Sequence, residues 1–439
     1  MLKRFSRYFS YLIIGILFLQ ITDTYKLLLL VFQKKTNVAS ILTLMICLFF
    51  LAFNFSIVKK FLKIRLLFSW FLLIWFFPVT ISLIHFLLGN LDGGETIYWL
   101  SFFSLFGTLF ISSVYVFYKF GSTYFVFVFF LLAYLSIVLS FVLESINYDL
   151  FRSILSLSAE TEDIAFVRTE SNRSIGFYVQ SNMAARALCF FSIFLYFSYF
   201  SSRKFLHKLV FFITTIALIL LTGSRTSLLI FVTIALYFSF YYKQHEQKKS
   251  IVIQGLLPSV VLILFFIPIF YLFLKYVSIM LTNYEYSFLS ERLDFLISFF
   301  ESNDSSISDE SIEIRIMVIN QYLGYIYDSL LLGYGPVKRE EFLRLGNFTA
   351  ASQNQYLEDI FAFGLFYFLF YLKVIVKSIK IKSFYTFGLP MFPFFIFFFV
   401  ILIFGFSVNY LLINRIVIIS MGAFLGIFLR YQQNFRYDI

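Results

Sequence analysis

The chain has 439 residues, of which 61% are hydrophobic, 23% aromatic and only 13% charged. Soluble domains carry about 25% charged residues, so with a mean hydropathy of +0.88 a water-soluble enzyme is excluded. The formal net charge of +11 invites a nucleic-acid partner, but its distribution along the chain assigns it to membrane topology instead.

Apolar blocks of about 18–25 residues cross a bilayer as helix, and their recurrence predicts an all-α polytopic membrane protein of about twelve transmembrane helices. The expected spans are 9–31, 38–57, 66–88, 98–117, 122–143, 182–200, 207–223, 226–241, 251–275, 357–374, 385–407 and 411–429. Lys3, Arg4 and Arg7 before Tyr11 to Leu19 resemble a signal-peptide start, but no small-residue cleavage site follows, only Gln20-Ile21-Thr22-Asp23. The first block therefore reads as an uncleaved span, interrupted by Asp23 and Lys26. Cys47 and Cys189 lie inside apolar blocks, which offers neither a disulfide framework nor metal-ligand spacing.

The clusters Lys59-Lys60-Lys63-Arg65, Arg203-Lys204-Lys208, Lys243-Lys248-Lys249 and Lys373-Lys377-Lys380-Lys382 all fall on one side of this arrangement, where the acids outside the spans are Glu246 and, in the C-terminal tail, Asp438. Basic loops mark the cytoplasmic face, so a multi-pass protein of the plasma membrane with both termini in the cytoplasm is expected. The whole chain, 1–439, reads as a single integral membrane domain. Two long connections lie outside: a first outer loop at 144–181 and a long, partly helical extracytoplasmic loop at 276–356, between spans nine and ten. In the second, Ile312, Ile316, Ile319, Leu323, Ile326 and Leu330 recur at spacings of three and four, predicting an amphipathic helix. The polar run Glu301 to Ser306 before it reads as a linker.

Ionisable groups in or beside a span are functional candidates by default. Arg225 stands in Leu221-Thr222-Gly223-Ser224-Arg225-Thr226-Ser227, a tight turn between two short apolar helices. A guanidinium cannot shed its charge there and needs an anionic or carbonyl partner; snorkelling to the interface is the plainer alternative. Arg186 lies about one turn into the sixth span beside Ala184 and Ala185, pointing either into the bundle or to the rim. Arg315 flanks the stripe of the loop helix, where a solvated face is the bland explanation. His85 sits near a span end, and Glu358 and Asp359 open the tenth span, where first-turn acids suit a helix N-terminus anyway. No Gly-rich phosphate loop, nucleophilic triad or metal cluster is evident in the sequence. Arginines at fixed depth suit a diphosphate, which they grip bidentately and whose departure they stabilise.

Four segments, in order, resemble the O-antigen polymerase and O-antigen ligase superfamily. Arg173-Ser174-Ile175-Gly176-Phe177 through Asn182 and Ala185 is similar to an Arg/Gly/Asn/Ala stretch of that family, and Leu221 to Leu229 to its Gly-Ser-Arg turn. Arg315 followed by Gly333-Tyr334-Gly335-Pro336 resembles its loop arginine and Gly-x-Gly pattern. Gln353-Asn354, nine residues and Gly364 resemble its His-Asn-x9-Gly motif. The resemblance covers residues 173–367; the N-terminal spans match in hydropathy alone.

The resemblance implies a metal-independent, cofactor-free membrane glycosyltransferase working outside the bacterial plasma membrane on undecaprenyl-diphosphate-linked donor and acceptor glycans. Arg225 and Arg315 would stabilise the departing lipid diphosphate, with Arg173, Arg186, Asn182 and Ser224 binding substrate and Gln353 and Asn354 orienting sugar. Membrane lipids, a flippase and a chain-length regulator are the expected partners; nucleic acid is not. The family's ligases have histidine where this chain has Gln353, which cannot take a proton at neutral pH. That favours a polymerase of O-antigen or capsule repeat units over a ligase, and leaves His85, Glu358 and Asp359 as candidate bases. A lipid-linked oligosaccharide flippase is the rival from another class, but transport folds show internal repeats and broken spans that this chain lacks in sequence.

Overall fold

A computed structural model describes residues 2–25, 36–158, 174–178, 180–200, 203–224, 226–235, 272, 275–276, 279–280, 305–336, 354–379, 394–405 and 414–436. The regular structure among the described residues is helical, with no strand. The chain folds as two units, one formed by Met1–Phe129 with Glu310–Ile439, the other by Phe130–Asp309.

The first unit opens with α1, Leu2–Thr22. The expected first span runs on to residue 31, but the helix stops at Thr22. Asp23 takes φ 56°, a left-handed conformation that short polar side chains tolerate and a helix cannot continue through. The second expected span is also cut short. Helix α2, Thr36–Phe53, and α3, Phe55–Leu62, meet at Asn54, where the chain bends by 88°. Asn54 stabilises the bend from both ends of its side chain: Nδ2 donates to the Phe50 carbonyl at 2.8 Å, and Oδ1 accepts from the Tyr115 hydroxyl at 2.9 Å. Beyond the bend, α3 buries Val58 and Phe61 and exposes Lys59 and Lys60.

Helix α4, Arg65–Leu87, carries a π turn over Leu72–Phe76. Helix α5, Gly93–Phe120, starts on an Asp92 cap whose Oδ1 accepts from the Glu95 amide at 2.6 Å. It packs along α14, Arg415–Arg436, through Gly422 and Gly426, one turn apart. A Cβ at Gly422 would lie 2.8 Å from the Phe110 carbonyl oxygen, and one at Gly426 only 2.4 Å from that of Val114. This small-residue seam lets two backbones approach closely, the packing that replaces the hydrophobic effect between helices in lipid. The Ser113 hydroxyl crosses it to the Ile419 carbonyl at 2.8 Å.

The second unit takes the remainder of α6, Thr123–Ile146, then α7, Tyr148–Ser158. It continues with α8, Ser181–Ser198, α9, Phe205–Thr222, and α10, Thr226–Ala235. Helix α8 is buried almost throughout from Ala184 to Phe197. Its Phe194 ring stacks on Phe130 with centroids 3.8 Å apart, while Tyr134 on α6 and Thr215 on α9 hydrogen-bond at 3.0 Å.

Among the described residues four helices, Arg65–Leu87, Gly93–Phe120, Thr123–Ile146 and Gln355–Ser378, are long and apolar enough to cross a membrane, and the pair bent at Asn54 adds a fifth if it is one span. These coincide with the expected third, fourth, fifth, tenth and second spans. Tyr8–Thr22, Leu206–Thr222 and Thr226–Ala235 are shorter apolar helices at three more expected positions, whereas 251–271 lie outside the described residues.

The long loop holds α11, Ser305–Asp328, where the apolar spacing predicts an amphipathic helix. The helix starts earlier than that spacing indicates, so Ser305 and Ser306 are helical rather than linker. Its buried face is also different. Val318, Tyr322 and Ile326, spaced by four, pack with Phe361 in one core, while Leu323 and Leu330 stay exposed. Ile326 belongs to both sets, and at 3.6 residues per turn the face that α11 presents to α12, Gln355–Ile379, lies about a quarter of a turn from the expected stripe. The last described helix before α14 is α13, Phe394–Gly405.

Candidate functional site

In the second unit the arginine-bearing segments are tied to one another by backbone. Helix α9 ends at Gly223 in a left-handed cap with φ 65°. The turn is closed by its own side chains: the Ser224 amide reaches the Thr222 hydroxyl at 3.3 Å, and the Ser224 hydroxyl donates to Ser227 at 2.9 Å. The segment 174–178 lies against this turn, its Ser174 amide donating to the Leu221 carbonyl at 2.9 Å. Helix α8 reaches the other side of the turn, where Cys189 Sγ donates to the Ser227 carbonyl at 3.4 Å.

One turn before Cys189 stands Arg186. Only 8% of it remains exposed, and among the described residues it has no hydrogen-bond or ion-pair partner. A buried guanidinium is strongly unfavourable unless an anion or carbonyls meet it. No described group in this unit satisfies the charge, so an anion meeting Arg186 would offset the cost of burying it. The sequence alone leaves it open between rim and interior; the fold places it in the interior.

A buried carboxylate of the same unit is already committed. Glu144, at the end of α6, accepts Arg152 of α7 at Oε1 through Nε at 3.0 Å and Nη2 at 2.9 Å. It also accepts the amides of Ile175 at 3.1 Å and Gly176 at 3.2 Å. Gly176 takes φ +54°, and a Cβ there would fall 2.3 Å from the Ser140 hydroxyl, so the motif's glycine is required by this docking. Sequence reasoning missed the pair; the signal available was an acid and an arginine eight residues apart across Asn147.

In the first unit, the two glycine motifs of the long loop meet. Helix α12 is broken at Gly364, φ 80° and ψ 172°, a conformation open to glycine almost alone. The break frees carbonyls that the loop then occupies: Tyr334 N–H donates to Phe361 O at 2.8 Å and Gly335 N–H to Ala362 O at 3.0 Å. In return Leu365 N–H reaches Leu330 O at 2.8 Å. A Cβ on Gly364 would lie 2.1 Å from the Leu331 carbonyl oxygen. His85 supports the same loop. Its ring lies under Gly335, Asn90 Nδ2 is 3.0 Å from its Nδ1, and its Nε2 makes a long 3.5 Å contact with Leu332 O. Nδ1 is met by Asn90, just past the end of its own helix, and Nε2 is the ring nitrogen turned to the loop.

Asn354 Oδ1 accepts from the Tyr356 and Leu357 amides at 3.0 and 3.3 Å, capping α12. Glu358 and Asp359 follow, both buried, with 3% and 1% exposure; they are interior groups, not merely first-turn acids serving a helix end. Tyr322 of α11 donates to Glu358 Oε1 at 3.4 Å, and Gln355 donates to Asp359 Oδ1. The Arg315 position lies in α11, three and seven residues before Val318 and Tyr322. Asn182 is exposed in the first turn of α8, and Ser224 is buried inside its turn. Arg173, Arg225 and Gln353 lie outside the described residues.

Fold and site thus define a membrane-embedded helical protein with a buried arginine unmatched by described protein groups in one unit, and a loop latched into a broken helix in the other. Residues 210–372 match the family described as O-antigen ligase, consistent with the O-antigen polymerase and ligase superfamily that the motifs resemble. The matched segment runs from α9 to α12 and contains the 221–227 turn, α11, Gly333, Gly335 and Gly364. No curated protein and no solved structure matches the chain.

Proposed function

We propose that this protein polymerises undecaprenyl-diphosphate-linked oligosaccharide repeat units of a bacterial surface polysaccharide, O-antigen or capsule, at the outer face of the plasma membrane. The observation that carries the reading is Arg186, a buried guanidinium with no protein partner among the described residues, one helical turn from the cysteine that bonds the 221–227 turn. A donor diphosphate is the anion that such a site accommodates.

A hydroxyl of the incoming repeat unit attacks the donor's anomeric carbon. The bond from that carbon to the diphosphate oxygen breaks, the lipid diphosphate leaves with the electron pair, and the proton lost by the hydroxyl ends on the departing diphosphate. Arg186 and Arg225 neutralise the charge that develops, a role in which one preorganised donor accounts for about 100- to 1,000-fold in rate. Arg173 and Arg315 are assigned to the same leaving group from the sequence motifs. Gln353 and Asn354 orient sugar, and Gln353 takes no proton. The charge is supplied by arginine, so the scheme routes no step through a metal or cofactor.

A second reading, transfer of the finished glycan to another acceptor, is favoured by the family match, which is described as O-antigen ligase. Polysaccharide profiles of a null strain complemented with wild type, Arg225→Ala or Arg225→Lys separate the two at matched membrane levels. Single lipid-linked repeat units in the Arg225→Ala strain support polymerisation. Long glycan stranded on its lipid carrier means a ligase, and repeat units held on the cytoplasmic face mean a lipid transporter.

A further inference from the structure

Both segments that bear the motif arginines of the second unit reach their place through main chain, and one buried carboxylate holds one of them. Ser174, the residue after Arg173, donates to Leu221 O in the turn that carries Arg225. The next two amides, Ile175 and Gly176, end on Glu144, which Arg152 grips through Nε and Nη2. Glu144 is 2% exposed and Arg152 6%, and the guanidinium also lies over the Tyr148 ring at 4.6 Å.

We infer that the Glu144–Arg152 pair is a positioning device for the diphosphate site, setting where residues 174–176 and, through Ser174, the turn that follows Leu221 stand. The inference rests on the diphosphate reading above. Stability alone is a poor reason for such a pair, because a buried ion pair is often replaceable by apolar residues without loss. What apolar residues cannot supply is an acceptor for two consecutive amides. A carboxylate takes both, and the arginine fixes its plane by charge-assisted bonds to Oε1. Glu144 and Arg152 touch no substrate in this scheme; they act through the backbone of 174–176 and, by the Ser174–Leu221 bond, through the turn.

The test measures binding of undecaprenyl diphosphate to the full-length protein in detergent, with thermal melting in parallel. The double variant Glu144→Leu/Arg152→Leu removes both charges of the pair together. It leaves the Ile175 and Gly176 amides without this acceptor, so it is expected to melt below wild type and, as folded protein, to bind about 10- to 100-fold more weakly, the scale of loss from a displaced site. Glu144→Gln keeps a carbonyl oxygen for the amides and is expected to recover most of that loss. Wild-type affinity in the double variant, with Arg186→Met unable to bind, overturns the inference while the diphosphate reading stands. Wild-type affinity in Arg186→Met overturns the diphosphate reading, and the positioning role with it. Should the double variant not fold, Glu144→Arg/Arg152→Glu decides: it keeps an ion pair but moves the amide acceptor, and wild-type affinity there refutes positioning.

Discussion

At the residue scale, Arg186 sets function against stability. Without ligand its charge is buried and uncompensated among the described residues, so removing it relieves desolvation while losing little packing if the stem is replaced. Arg186→Met is therefore expected to stabilise the ligand-free protein by up to about 4 kcal/mol, seen as a higher melting temperature, and to lower polymer formation about 100-fold or more. Arg186→Lys is expected to restore little, because a point charge does not reproduce a bidentate grip. A melt combined with a turnover assay checks both signs; an arginine serving only to stabilise the helix would lower the melting temperature instead. Gly364 is the second telling residue. With φ at 80° and a Leu331 carbonyl where a Cβ would go, Gly364→Ala is expected to destabilise by about 1–3 kcal/mol. The loss should concentrate in the latch, with hydrogen exchange rising at the Tyr334, Gly335 and Leu365 amides while α5 is unaffected.

At the element scale, the helices divide by what holds them. The seam between α5 and α14 depends on two glycines, and neither approach leaves room for a side chain. Gly426→Leu is expected to lower detergent stability by about 1–3 kcal/mol or more, whereas Leu132→Ala, an exposed position of α6, should change it by less than about 0.5 kcal/mol; thermal melts in one detergent compare them. Helix α11 shows what hydropathy could and could not place. Its existence was legible from the spacing of Ile312 to Leu330, because a helix was the only regular element with that period. Its buried face was not, since Val318 and Tyr322 pack on Phe361 while equally apolar Leu323 does not. Burial is decided by where α12 lies, and α12 itself bends at a glycine whose purpose is visible only with the loop docked. The acids after Asn354 repeat the lesson: a first-turn carboxylate and an interior one look alike in sequence.

At the scale of the whole molecule, the asymmetry of lysine and arginine between connections predicts the orientation. Cys47 and Cys189 are free and buried, so an impermeant thiol reagent meets little native background. Glu340→Cys is expected to label in intact cells, and Lys249→Cys only after the membrane is opened; the reverse pattern would invert the topology and move the arginines to the wrong face for an external reaction. The hydrophobic composition by itself determined that this is a helical membrane protein, because backbone polar groups in lipid can be satisfied within helices along runs of about 20 apolar residues. It also determined the motif positions, since Gly-Ser-Arg turns and spaced glycines are local in the chain. Only the tertiary structure decided that α1 ends at Thr22, that the second span bends at Asn54, that Arg186 is interior and that Glu144 is spent on backbone amides. Each of these depends on partners dozens or hundreds of residues away, or on a charge balance summed over several helices, and neither quantity is written in local sequence.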